Sequence, residues 1–99
     1  MSEAVRRLLV AYDISEDRRR DRAAALLGGF GERVQYSVFL VDGRPADLVR
    51  LRGHLKRLID PETDRVMLCD LGPRGGAQQA IVYLGRTLSL VGDGIAVIV

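Results

Sequence analysis

Arg6-Arg7-Leu8-Leu9-Val10-Ala11-Tyr12-Asp13 is a short apolar run that stops on a carboxylate. It reads as a buried strand ending at Asp13. Ser15 follows as an N-cap, with Glu16 and Asp17 in a first helical turn whose dipole favours anions. Ala23, Leu26, Leu27 and Phe30 recur at helical spacing, and Gly28-Gly29 stop the helix. The opening unit is therefore strand, tight turn, helix, with an acid at the turn.

Working outward, Val34-Gln35-Tyr36-Ser37-Val38-Phe39-Leu40-Val41 is β-branched and aromatic and predicts a long strand, bent or split. Asp42-Gly43 turns the chain, and Pro45 suits the first turn of a second helix. Leu48, Leu51, Leu55, Leu58 and Ile59 mark its apolar stripe, and Asp60-Pro61 ends it. Arg65 to Leu71 predicts a third strand and Gly72-Pro73-Arg74-Gly75-Gly76 a loop. Ala80 to Leu84 and Ile95 to Val99 are further strand candidates, separated by Gly92-Asp93-Gly94. The order β-α-β-α-β-β-β predicts an α+β two-layer sandwich, with both helices on one face of a mainly antiparallel sheet. The opposite face has no helix left to cover it. Tyr36, Val38 and Leu40, with Phe39 and Val41, leave both faces of the long strand partly apolar. A partner is expected there, a second copy being the commonest.

The 99 residues are enough for one domain, 1–99, with its own core. At 47% hydrophobic and 28% charged, the composition is that of a folded globular chain rather than a disordered one. Cys69 is the one cysteine and sits in an apolar run, so it is expected to be a reduced core or sheet residue. No basic leader with an apolar stretch is present. The longest apolar runs are a few residues, against the ~20 of a membrane span, so a soluble cytoplasmic protein without membrane contact is expected. A net charge of +2 is too small to mark a nucleic-acid binder by itself. Of 15 basic residues, however, only Lys56 is a lysine. Arginine grips phosphate with a planar fork of donors. Codon bias in a GC-rich genome explains the same preference.

Asp13 should sit at the carboxyl edge of the sheet, as a turn aspartate or as a metal ligand. Mg²⁺ takes one or two carboxylates plus waters and phosphates. A two-fold axis beside Asp13 would supply the second carboxylate. Arg18, Arg19, Arg20 and Arg22 follow. They are either a solvated helix face paired with Asp17 and Asp21, or a phosphate-gripping edge beside Asp13. Arg33 is a further candidate of that kind. His54, the one histidine, has no ligand partner at metal-site spacing and reads as a surface residue. Gly72 to Gly76 lacks the Gly-Lys-Ser/Thr ending of a phosphate loop, and the Gly28-Gly29-Phe30-Gly31 run follows a helix rather than a strand.

Leu9-Val10-Ala11-Tyr12-Asp13-Ile14-Ser15, the arginine cluster and Arg33-Val34-Gln35-Tyr36-Ser37-Val38-Phe39 together resemble the Cas-two family of CRISPR-associated proteins. Asp60-Pro61, Asp64-Arg65-Val66 and Ile81-Val82-Tyr83-Leu84-Gly85 extend the resemblance over essentially the whole chain. It implies a ferredoxin-like fold whose middle strand is often counted as two short ones. It implies a homodimer and metal-dependent endonuclease activity on RNA or DNA, with Mg²⁺, or Mn²⁺ in its place. It also implies a part in spacer acquisition, bridging dimers of the Cas-one integrase on duplex DNA. The family's metal aspartate matches Asp13, contributed by both subunits. Tyr12, Ser15, Arg20, Arg22, Arg33 and Phe39 accompany it. The C-terminal strand, Ile95 to Val99, is expected to pair with a sheet edge of the other subunit, the alternative being pairing within its own sheet.

Two readings follow. In one, two Asp13 carboxylates hold the metal of a nuclease. In the other, the same dimer is a non-catalytic scaffold that grips duplex backbone and docks the integrase. A toxin-like ribonuclease family shares the fold.

Overall fold

The computed structural model describes residues 4–86. Strand β1 (Arg6–Asp13) leads to helix α1 (Asp17–Gly28), strands β2 (Gly31–Gln35) and β3 (Val38–Gly43), helix α2 (Pro45–Leu58), strand β4 (Arg65–Pro73) and the single turn α3 (Arg74–Ala77). The sheet order is β2-β3-β1-β4. Every neighbouring pair is antiparallel. Two helix-linked strand pairs interleaved in this order make the ferredoxin-like sandwich expected from the sequence.

Alternation along the strands sends one set of side chains to the helices. Leu8, Val10 and Tyr12 of β1 and Phe39 and Val41 of β3 meet Ala23 and Leu27 of α1 and Leu48, Leu51 and Leu55 of α2. Leu27, Leu51, Val10 and Val41 are wholly buried. Each contributes about 1.5–3 kcal/mol of apolar burial, so this layer fixes the position of β1 and hence of its last residue.

The other set faces away from the helices. Leu9 lies between Leu40 and Cys69, and Ala11 between Val38 and Met67. Met67 is 53% exposed, and Cys69 is exposed as well. Cys69 is thus a sheet residue, as expected, but not a core one: at odd register on β4 it points from the helix-free face.

The expected split of the long strand is found, and three other sequence expectations are corrected. The run Val34 to Val41 is a hairpin whose strands are joined through Tyr36-Ser37, with Gln35 opposite Val38. No non-glycine residue has positive φ among the described residues, so this turn needs neither glycine nor asparagine; an irregularity between Arg33 and Gln35 absorbs the register. The N-cap of α1 is Glu16, whose carboxylate accepts from the Arg18 and Arg19 amides at 3.1 and 2.9 Å. Ser15 is drawn instead to Asp64. The loop at Gly72 to Gly76 contains the helical turn α3. Finally, Ala80 to Leu84 is not a strand: no described strand pairs with it, and Val82 and Leu84 are 63% and 82% exposed. The candidate strand Ile95 to Val99 lies outside the described residues. No helix among the described residues is long and apolar enough to cross a membrane.

Candidate active site and nucleic-acid interface

One end of the sheet gathers the last residue of β1, the β2–β3 turn, the first residue of β4 and the N-terminus of α1. Asp13 is exposed there, with Arg65 as its register partner on β4. Its carboxylate makes no hydrogen bond or ion pair among the described residues. Next to it Ile14 is 3% exposed and plugs the core, so the exposed acid is anchored on both sides, by Tyr12 and by Ile14. The backbone adds a further tie, as the Tyr12 amide donates to the Ser37 carbonyl at 3.1 Å.

The loop after Asp13 is bolted down by Asp64. The Asp64 side chain is fully buried. It accepts from Arg19 Nε at 2.7 Å, from the Asp60 amide at 2.9 Å and from the Ser15 amide at 3.3 Å. The Arg19 guanidinium, assisted by those amides, holds the Asp64 carboxyl well below the usual carboxylate range. Arg19 also lies 3.7 Å from Glu16. Arg19 is therefore committed to the α1–β4 junction and is not presented to a phosphate.

Arg20 is committed too. Its Nη1 donates to the Ile14 carbonyl at 2.8 Å, and its Nη2 pairs with Asp17. The Asp17 carboxylate raises the Arg20 pKa. Arg33 lies 5.2 Å from the Phe39 ring centroid and 5.6 Å from that of Tyr36. Tyr12 stacks on Phe39 at 6.3 Å with 26° between the rings, and the Tyr12 hydroxyl is buried without a hydrogen-bond partner among the described residues. Tyr12 and Phe39 are thus core residues under the site rather than surface ones. Ser15 touches Asp64 and orients the loop.

Arg18 and Arg22 remain. Both are exposed, and neither side chain makes a hydrogen bond or ion pair among the described residues, although Arg18 lies within electrostatic reach of Glu16. Spaced four apart on α1, they share one face of the helix. Arg52 and Lys56 repeat that arrangement on α2. Sequence reasoning singled out all four arginines of α1; the structure divides them into two that brace the loop and two that face solvent. It also passed over Asp64 as a brace and Tyr36 as a surface ring. The signal for Asp64 was an acid one residue ahead of a strand, in the short turn that follows α2.

No group of three or more His, Cys, Asp or Glu side chains converges among the described residues. At the Asp13 end of the sheet, the exposed and unpartnered carboxylate among the described residues is that of Asp13. Its hard anionic oxygen, exposed and unpartnered among the described residues, fits Mg²⁺, which takes one or two carboxylates and completes its shell with waters and phosphates.

A family model described as CRISPR associated protein Cas2 matches residues 6–77. The chain belongs to that family. A curated Cas2 relative, the CRISPR-associated endoribonuclease Cas2 of Thermus thermophilus, is 39% identical over 88 residues, covering 89% of this chain and 85% of that protein. The crystal structure of Streptococcus pyogenes Cas2 at pH 6.5 superposes with a TM-score of 0.71 at 32% identity, covering 80% of this chain and 99% of that one. A chain in a solved partial Cas6-RT-Cas1–Cas2 complex matches at TM-score 0.54 and 26% identity, over 67% of this chain and 78% of that one. The resemblance carried by the Tyr12-Asp13-Ile14 and Gln35-Tyr36-Ser37-Val38-Phe39 segments is thereby borne out for the family and the fold.

Binding through α1 should be driven by phosphate and be tolerant of sequence. Because Arg20 is spent on Ile14 and Asp17, the pair to neutralise is Arg18 and Arg22. Replacing both with alanine is expected to flatten the slope of log affinity against log salt by about 2 for each subunit whose α1 touches the duplex, close to the counterion release of two phosphate contacts per subunit. Titrations of a labelled duplex between low and physiological salt measure it. An unchanged slope would remove α1 from the interface.

Proposed function

We propose that this Cas2-family chain is a metal-dependent endonuclease that cleaves RNA or DNA backbone as a cytoplasmic homodimer. The observation that carries the reading is Asp13: an exposed carboxylate with no protein partner among the described residues, fixed between two core residues at the end of a central strand. A carboxylate used only as a turn or cap would accept nearby amides, as Glu16 does. Asp13 accepts none among the described residues.

The helix-free sheet face supports the dimer. It carries Met67, Cys69 and Asp13 together, so two copies packed through it would bury exposed apolar surface and bring two carboxylates near one axis. Light scattering at micromolar concentration should return about twice 10.9 kDa. A monomer would leave Asp13 alone and overturn the shared site.

Bound Mg²⁺ would polarise the scissile phosphate and lower the pKa of an attacking water. The chain's own residues do the rest. Asp13 supplies the anionic oxygens, Asp64 and Arg19 hold its loop, and Arg18 and Arg22 draw in the flanking phosphates. Cleavage of end-labelled RNA and duplex DNA in Mg²⁺ or Mn²⁺, and its loss in EDTA, tests the reading. Cleavage that persists in EDTA would defeat it.

A second reading has its own support. The likeness to a chain within a Cas1–Cas2 assembly and the exposed pairs Arg18/Arg22 and Arg52/Lys56 suit a dimer that bridges a duplex and docks the Cas1 integrase without cutting. A chain that binds duplex and Cas1 but cleaves nothing in any divalent metal would decide for it.

A further inference from the structure

Tyr36 is 71% exposed at the hairpin turn, on the same end of the sheet as Asp13. It is not a loose surface ring. The Arg33 guanidinium lies 5.6 Å from its centroid while also contacting Phe39, and its hydroxyl is within electrostatic reach of the Arg20 guanidinium. Arg20 is in turn tied to the Ile14 carbonyl, one residue from Asp13. The ring is therefore held in place by the groups that brace the Asp13 loop. An aromatic ring that is ordered before binding loses little rotamer freedom when something stacks on it.

Tyr36 also borders a cleft of about 490 Å³ that Arg33, Gln35, Tyr83 and Arg86 help to line. The lining has two cations and two tyrosine rings, and no acid among the described residues. That volume lies within the range of small-ligand sites. Rings for bases with arginines for phosphates are the chemistry of single-strand binding: every base has a π-face, so stacking needs no particular sequence. A duplex hides those faces and offers only its backbone and base edges.

We infer that Tyr36 is a stacking platform for an unpaired nucleobase, with Arg33 and Arg86 placed for its phosphates. The inference rests on the reading of the Asp13 end as a nucleic-acid interface, and deepens it by assigning the strand that binds there as single.

The test uses the full chain in metal-free buffer, so that nothing is cleaved, with a single-stranded RNA carrying 2-aminopurine and a duplex of equal length. Wild type should quench the 2-aminopurine on binding. Tyr36→Ala and Tyr36→Leu should each weaken single-strand binding about 10-fold and abolish the quenching, Tyr36→Phe should keep both, and duplex affinity should stay within about two-fold throughout. Tyr36→Leu guards against a local loss of packing at the turn. If the alanine and leucine variants bind and quench as wild type, or lose duplex affinity in equal measure, the stacking platform is overturned while the interface stands. If wild type binds neither probe, both readings fall.

Discussion

Replacing Asp13 with asparagine is expected to lower divalent-metal-dependent hydrolysis by at least ~100-fold, since the metal's contribution is several kcal/mol of transition-state stabilisation. Asparagine keeps the shape of the side chain and one carbonyl oxygen, but not the charge. In a dimer the substitution removes both carboxylates at once. The fold should not notice. Asp13 is exposed and makes no hydrogen bond or ion pair among the described residues, and such surface changes usually shift stability by less than about 0.5 kcal/mol. Nucleic-acid affinity in the absence of metal should be equal or higher, because two negative charges leave the interface. Thermal melting, metal-free binding and cleavage of a labelled strand, measured on one preparation, separate these effects. Wild-type and Asp13→Asn proteins that cleave equally, with EDTA also without effect, would show that the carboxylate is not a metal ligand. An Asp13→Asn protein that loses binding along with cleavage would place the aspartate in the structure rather than the chemistry.

The path from sequence to this site was legible where the signal is local. Leu8, Val10 and Tyr12 alternate with half-buried neighbours and end on a charge, which announces both the strand and its terminus. The stripes of α1 and α2 recur at helical spacing, and Ala23, Leu27, Leu48, Leu51 and Leu55 are buried as that spacing requires. Illegible features are those that distant residues decide. Ser15 and Glu16 can both cap a helix, and what assigns the cap to Glu16 is Asp64, 49 positions away, pulling Ser15 aside. The same carboxylate removes Arg19 from the pool of phosphate ligands. Spacing alone makes Arg18, Arg19, Arg20 and Arg22 equivalent; tertiary partners do not.

The turn at Tyr36-Ser37 illustrates a different limit. Turn chemistry is readable when a residue must adopt positive φ, because glycine or asparagine then gives it away. This hairpin turns without one, in the middle of a β-branched run. Its cost is a register irregularity beside Gln35, and its consequence is an exposed tyrosine at the same end of the sheet as Asp13. The misread run Ala80 to Leu84 is the converse. Ile81, Val82 and Tyr83 favour strands, but strand propensity is realised only where a neighbouring edge accepts the hydrogen bonds. No described strand does so.

The largest stability effect is expected at Asp64. Its carboxylate accepts six hydrogen bonds: two from Ser15, two from Arg19, and one each from the Asp60 amide and the Thr63 hydroxyl. Alanine there would leave the Arg19 cation without this partner and the Ser15 and Asp60 amides orphaned at once, a loss expected to lower the melting temperature by about 10 °C for a domain of this size. Asparagine is the sharper probe. It fits the space, but its NH₂ group would confront donors on most sides, so it should recover only a minor part of that loss. The pH dependence follows from the same contacts. Arg19 depresses the Asp64 pKa in the folded chain, so the stabilisation is complete above the unfolded value near 4 and is lost as pH falls from there toward the folded value. Wild type should therefore lose melting temperature steeply on acidification below about pH 4, and Asp64→Asn should lose less over the same interval, because it has no proton to take up at this position. Parallel melting curves from about pH 7 to about pH 2 read the difference. Equal acid slopes in the two proteins would mean that the Arg19–Asp64 pair is not the brace that holds the Asp13 loop.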